Sequence, residues 1–230
     1  NRTTAVGAGA SASSNASSAF GFNATASGYR SQTFGAYTEA TQNATTALGY
    51  QAKALANRSI AMGSFANASE NAAIAIGVSA NASAVQSLAV GSTASASGQK
   101  ATAIGRGAEA SGFSATAIGV DSIANKGNAQ AIGHNAIASG INATAIGTSA
   151  EASGKYSSSF GTEANATAED AIAVGFLATA SGIDSIAIGT SALANKANTT
   201  AIGTEAKASG ENSTASGDSA TASGINSSAF

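Results

Sequence analysis

Few residues in this sequence could perform catalysis. His134 is the one histidine, it follows a glycine where a solvent-facing turn is expected, and there is no cysteine to act as nucleophile or ligand. Glu169 and Asp170 are adjacent, but the period of a strand would send them to opposite faces and leave no convergent acid–base pair. The stretch GRGAEASG (105–112) resembles a phosphate loop, yet no Lys-Ser/Thr pair follows it. We therefore expect no enzymatic activity, no cofactor and no metal site.

Aromatic side chains that could contact a partner crowd the first part of the chain. Seven of the twelve aromatic residues lie between residues 20 and 65. Phe20 and Phe34 occupy a repeated apolar position and are interpreted as packing residues. Exposed rings at turns suit contact with a protein or a glycan. The candidate contacts of this kind are Phe22, Tyr29, Tyr37 and Tyr50.

Charged residues are scarce and scattered. They make up 10% of the chain, the formal net charge is −2, and there is no basic run, so neither a nucleic acid nor direct membrane contact is expected. Lys126 in ANKGN (124–128) and Lys196 in ANKAN (194–198) occupy corresponding places. They are candidate contacts for an anion or simply solvated surface charges, and the sequence leaves both open.

A repeat of fourteen residues organises the whole chain. Glycine recurs at every fourteenth residue from Gly7 to Gly217 without a slip. Positions are counted from that glycine. The fifth residue after it (plus five) is always Ala, the third (plus three) is almost always Ala, and the thirteenth (plus thirteen) is a large apolar residue in all units but one. A second glycine stands at plus seven in half of the units. Two turns per repeat are predicted, with glycine supplying the positive φ.

Spacings of two within each unit predict short strands rather than helix. Ala at plus three, plus five and plus twelve would fill a narrow interior, and identical positions would pair in parallel ladders from coil to coil. The predicted fold is all-β, a parallel solenoid of about sixteen 14-residue coils. At about 4.8 Å per coil its length would be roughly 77 Å.

The apolar residues at plus thirteen alternate with the interior Ala and should point outward. Such a stripe is larger than the apolar patches of ordinary monomers, so we expect an oligomer joined along it, and the residues alone do not choose between two and three chains. The predicted interface residues are Val6, Phe20, Phe34, Leu48, Met62, Ile76, Val90, Ile104, Ile118, Ile132, Ile146, Phe160, Val174, Ile188 and Ile202.

The units ATAIGRGAEASG (101–112), ATAIGTSAEASG (143–154) and SIAIGTSALAN (185–195) resemble the head repeats of trimeric autotransporter adhesins, the YadA-type surface proteins of Gram-negative bacteria. The resemblance implies a left-handed parallel β-roll, assembled as a homotrimer and displayed at the bacterial cell surface. It implies attachment to host cells or extracellular matrix through a protein or glycan, a role in virulence, and in some cases autoagglutination.

The resemblance also implies parts that this sequence does not show. No neck, coiled-coil stalk or membrane barrel is evident, so we expect residues 1–230 to be a single repeat domain cut from a longer surface protein. Anchoring in the outer membrane would then depend on other parts of the parent chain.

Other functions for a β-solenoid are an ice-binding surface, a purely structural spacer and a carbohydrate-active enzyme. An ice-binding face needs a continuous Thr ladder, whereas Thr102, Thr116 and Thr144 at plus eleven are interrupted by Gln130. An enzyme would need clustered acids or bases, which are missing. The adhesive head is therefore the leading hypothesis.

Overall fold

The computed structural model describes residues 2–230, and in that range it consists of short β-strands and turns without a helix. Each fourteen-residue unit contributes one three-residue strand and one two-residue strand, separated by two turns. The prediction of an all-β parallel solenoid of about sixteen coils is confirmed.

The strands fall into two sets. The first set ends each unit and comprises β1 Thr4–Val6, β3 Ser18–Phe20, β5 Gln32–Phe34, β7 Thr46–Leu48, β9 Ile60–Met62, β11 Ile74–Ile76, β13 Leu88–Val90, β15 Thr102–Ile104, β17 Thr116–Ile118, β19 Gln130–Ile132, β21 Thr144–Ile146, β23 Ser158–Phe160, β25 Ile172–Val174, β27 Ile186–Ile188, β29 Thr200–Ile202, β31 Thr214–Ser216 and β33 Ser228–Ala229. The second set comprises β2 Ser11–Ala12, β4 Thr25–Ala26, β6 Glu39–Ala40, β8 Lys53–Ala54, β10 Asn67–Ala68, β12 Asn81–Ala82, β14 Ser95–Ala96, β16 Glu109–Ala110, β18 Ile123–Ala124, β20 Ile137–Ala138, β22 Glu151–Ala152, β24 Asn165–Ala166, β26 Thr179–Ala180, β28 Leu193–Ala194, β30 Lys207–Ala208 and β32 Thr221–Ala222.

Contacts group the chain into two compact units, one ending at Ala115 and the other running from Thr116 to Phe230. Within each unit a strand pairs in parallel with the equivalent strand one coil away, in a register that matches identical repeat positions. Ala75, for example, pairs with Ala61 on one side and Ala89 on the other. This register satisfies the backbone groups between neighbouring coils, and it explains why the repeat length does not vary.

The interior of each coil is filled by alanine. The positions plus three, plus five and plus twelve are buried as predicted, and Ala94, Ala96 and Ala103 of one coil are completely inaccessible. Plus ten is buried too, which the repeat analysis did not anticipate. This position carries Ala, Ser or Thr, and where it carries a hydroxyl, as in Ser87, the side chain can donate to the carbonyl oxygen three residues earlier, here Ala84 at 2.6 Å.

Two tight turns close each coil. The repeat glycine of the first turn has positive φ, as predicted, and each turn also contains a left-handed residue that was not predicted. In the first turn the plus-three N–H donates to the carbonyl of the repeat glycine, and plus two has a φ near +55°, as in Tyr37 (+56°). In the second turn the left-handed residue is plus nine, as in Ala44 (+55°). A left-handed third residue is the signature of type II turns.

The two glycines of the repeat therefore serve different purposes. The first, such as Gly63 with φ +133°, has a backbone conformation open almost only to glycine, and a Cβ there would overlap the carbonyl oxygen of Gly77. The second, such as Gly28, does not have positive φ, so the expectation of positive φ is wrong for it. Position 28 requires glycine because a Cβ there would overlap the carbonyl oxygen of Gln42 in the next coil.

Candidate interaction surfaces

The side chains considered for catalysis lie apart on the surface. His134 is exposed in a turn, as expected, and no helix follows GRGAEASG (105–112). Glu169 and Asp170 occupy a turn rather than a strand, so the reason given for their divergence is wrong. Glu169 instead pairs with Lys155 of the preceding coil at 3.4 Å. Among residues 2–230 no group of three His, Cys, Asp or Glu could hold a metal ion.

The outer face of the three-residue strands carries the plus-thirteen side chains. In β11, Ala75 is fully buried while Ile74 and Ile76 on either side lie outside the coil, with Ile76 37% exposed. Leu48 and Ile202 are 41% and 42% exposed in the same position. Every side chain predicted for the interface therefore lies on this face, which we call the apolar stripe.

The apolar stripe has a second column, at plus eleven, which was not included among the predicted interface residues. Position plus eleven also faces outward, and in three successive coils it carries Ile60, Ile74 and Leu88. The spacing of two residues predicts that plus eleven and plus thirteen share one face of the strand, and the structure agrees. Where the column carries Thr, Gln or Ser instead, the stripe consists only of its plus-thirteen side chains.

Four aromatic rings form a continuous ladder on the first-turn edge, one from each of four successive coils. The rings of Phe22 and Tyr37 meet edge to face with centroids 5.3 Å apart, Tyr37 meets Tyr50 at 6.0 Å, and Tyr50 meets Phe65 at 5.4 Å. All four side chains are between 43% and 50% exposed. We call this set the aromatic edge; it unites three of the four predicted aromatic contacts and adds Phe65.

The other aromatic candidates lie elsewhere. Tyr29 is in the second turn of its coil, at plus eight, and the Arg30 guanidinium lies 4.9 Å from the centre of its ring. Phe20 and Phe34 stack on the apolar stripe with centroids 4.9 Å apart and planes 5° apart. The interpretation of these two phenylalanines as packing residues agrees with that contact.

Lys126 and Lys196 are both exposed at second turns of the unit that begins at Thr116. Five coils separate them, which at the usual strand spacing is about 24 Å. The two lysines are too far apart to hold one small anion together.

The repeat itself can be compared with known proteins. A family model described as the YadA head domain repeat (2 copies) matches residues 1–24, 40–66, 68–94, 82–108, 96–122, 110–136, 124–150, 152–178, 180–206 and 208–230. The chain belongs to the YadA head-repeat family. Among solved structures, the collagen-binding domain of the Yersinia adhesin YadA is similar, with 25% identity, coverage of 76% of this chain and 66% of that chain, and a TM-score of 0.24. A comparison with curated proteins found no match.

Membership in the YadA head-repeat family makes this an adhesin-type domain, and proteins of the family are surface-exposed adhesins anchored in the outer membrane. No helix in residues 2–230 is long and apolar enough to cross a membrane. Within a YadA head repeat, the apolar stripe and the aromatic edge are the surfaces on which an interaction can be built.

Proposed function

We propose that residues 1–230 form one adhesin head that attaches a bacterium to host cells or extracellular matrix. The observation that carries this proposal is the YadA head repeat, which runs through nearly the whole chain. The same heads would also mediate autoagglutination, through contacts between heads on different cells. Other parts of the parent protein would anchor the head in the outer membrane.

The proposed assembly is a homotrimer of left-handed β-rolls joined along the apolar stripe. Side chains such as Leu48, Ile76 and Ile202 are more than a third exposed in the isolated chain, although the interior holds little beyond alanine. Covering a large apolar side chain stabilises by about 1.5–3 kcal/mol. A stripe with one such residue per coil therefore favours association over exposure.

The aromatic edge is the proposed contact for a matrix or cell-surface ligand. Its rings are exposed, held in fixed mutual geometry by edge-to-face contacts, and lose little conformational freedom on binding. Three copies of the edge in a trimer would bind a repetitive ligand with avidity even if each contact is weak.

The first test is the solution mass of the purified chain by light scattering, with the far-UV spectrum as a check on folding. We expect a β-rich particle of three times 21.8 kDa. A folded monomer would overturn the trimer. Binding to surfaces coated with individual matrix proteins and to cultured host cells then tests adhesion, and no binding to any of them would favour the spacer hypothesis.

A further inference from the structure

Charge is divided unequally along this chain. Residues 1–115 contain six Lys or Arg and three Asp or Glu, whereas residues 116–230 contain four and nine. The difference in charge is concentrated at the second turn of each coil. At plus eight and plus nine the first half carries no carboxylate, and the second half carries four, namely Glu169, Asp170, Asp184 and Glu211. Although the net charge of the whole chain is only −2, the second turns of residues 1–115 therefore form a basic surface, which we call the basic corner.

The basic corner contains a groove of about 640 Å³. Its lining comes entirely from the plus-eight and plus-nine residues of five successive coils, from Tyr29 to Gln86, and includes Arg30 and Arg58. No carboxylate lines it. Glu70 is the one acid at the neighbouring plus-seven position of residues 2–115, and it is exposed outside the lining.

Both arginines of the groove have charge available for a ligand. Arg30 contacts the face of Tyr29, and in the part of the chain that the structure describes neither Arg30 nor Arg58 forms an ion pair. They occupy the same position two coils apart, which corresponds to about 10 Å along the corner. A guanidinium offers its N–H groups as a planar fork that matches two oxygens of a sulfate or carboxylate.

The asparagines between them add further donors. The Tyr29 N–H donates to Asn43 Oδ1 at 3.3 Å, and the Asn43 N–H donates to Asn57 Oδ1 at 3.2 Å. Because these side-chain oxygens are already engaged by the backbone, the amide NH₂ groups of Asn43 and Asn57 remain as donors. The groove thus combines positive charge with hydrogen-bond donors, and a ligand rich in negatively charged oxygens complements it.

We propose that this groove binds a sulfated polysaccharide. Sulfates spaced along an extended sugar chain would contact Arg30 and Arg58, and the Tyr29 ring would pack against a sugar face between amide donors. A nucleic acid fits less well, because single strands need successive stacking rings and the groove has one, while a duplex needs many more cations. This site is separate from the aromatic edge and does not depend on the proposed trimer.

Heparin is the probe for the test, and neutral dextran is the uncharged comparison. We expect the intact protein to bind heparin and not dextran, with affinity falling as salt rises. The double variant Arg30→Ala/Arg58→Ala should weaken heparin binding by at least about tenfold, the effect of losing one or two charge-assisted hydrogen-bonded contacts. The matched control is Lys126→Ala/Lys196→Ala, which removes the same charge outside the groove and should leave binding unchanged. Unchanged far-UV spectra and light-scattering masses establish that both variants fold and assemble.

Three results would overturn the proposal. The first is no heparin binding by the intact protein, and the second is equal loss in both double variants, which would mean diffuse attraction to net charge. The third is displacement of heparin by a single-stranded oligonucleotide of equal charge at equal concentration, which would assign the groove to nucleic acid. Matrix-protein adhesion that persists in Arg30→Ala/Arg58→Ala would separate this site from the adhesive function.

Discussion

The side chains of Ser157 and Ser159 both point into the interior of one coil, but only the hydroxyl of Ser157 is hydrogen-bonded. Ser157 Oγ donates to the Gly154 carbonyl oxygen at 2.7 Å, whereas Ser159 Oγ is buried without a partner. Ser157 stands at plus ten, where the turn brings the Gly154 carbonyl, which also accepts the Ser157 N–H, within reach of the side chain. Ser159 stands at plus twelve, in the middle of β23, a position that is Ala in most coils.

Replacing each serine by alanine should therefore change stability in opposite directions. Ser159→Ala removes an unsatisfied buried hydroxyl and should raise the free energy of unfolding by about 1 kcal/mol. Ser157→Ala removes a buried side-chain hydrogen bond, although the Gly154 carbonyl keeps the backbone N–H of residue 157 as a donor, and should lower the free energy of unfolding by about 1 kcal/mol. Denaturant unfolding of both variants measures this, and a destabilised Ser159→Ala protein would contradict the assignment.

Two substitutions in the turns are also expected to change stability in opposite directions. Gly63→Ala would place a Cβ against the Gly77 carbonyl in a backbone conformation unsuited to alanine, so we expect a loss of at least about 3 kcal/mol or failure to fold. Ala44→Gly would relieve an exposed left-handed alanine and should stabilise by about 0.5–1 kcal/mol. Thermal melting followed by far-UV spectroscopy compares them with the parent; equal effects would show that turn conformation does not limit stability.

Replacing different rings of the aromatic edge by alanine should reduce stability by different amounts. Tyr50 contacts two rings and Phe22 contacts one. Each edge-to-face pair contributes about 0.5–1.5 kcal/mol, so Tyr50→Ala should cost about twice as much as Phe22→Ala. A double-mutant cycle between Tyr50 and Phe65 measures the coupling directly. Phe113 is a similarly exposed ring at a second turn, outside the aromatic edge, and serves as the control. If Tyr50→Ala also reduces adhesion to a matrix protein while Phe113→Ala does not, the edge is the ligand contact.

The ion pair between Lys155 and Glu169 has a pH dependence of defined sign. The hydrogen bond to Glu169 is the largest cause that raises the pKa of Lys155 above its ordinary value of 10.5. Because the folded pKa is the higher one, the contribution of the pair to stability is, while Glu169 is ionised, fully present below pH 10.5 and is lost as the pH rises through the folded pKa. An NMR titration of the Lys155 side chain should show its pKa fall in Glu169→Gln, and an unchanged pKa would exclude the pair in solution.

The sequence predicted the fold well because each repeat position has one structural role. Glycine at every fourteenth residue and alanine at plus five identify the coil, its turns and its interior without any long-range information. The aromatic edge was only partly predicted, since contact between Tyr50 and Phe65 requires that plus one of one coil approach plus two of the next. The basic groove was missed because Arg30 and Arg58 are twenty-eight residues apart in sequence, and only stacking of the coils makes them neighbours.

The apolar stripe gives the sharpest test of assembly. Ile118→Asp puts a charge on the outer face of β17, at plus thirteen, where the proposed trimer would bury it, and an uncompensated buried charge is strongly unfavourable. Ile137→Asp makes the same chemical change on the outer face of β20, at plus four, which no proposed contact covers. Light scattering should show monomers or unfolded protein for the first variant and unchanged trimers for the second. If both remain trimers with unchanged melting, the chains associate through another surface, and the apolar stripe would be exposed in the assembly as it is in the single chain.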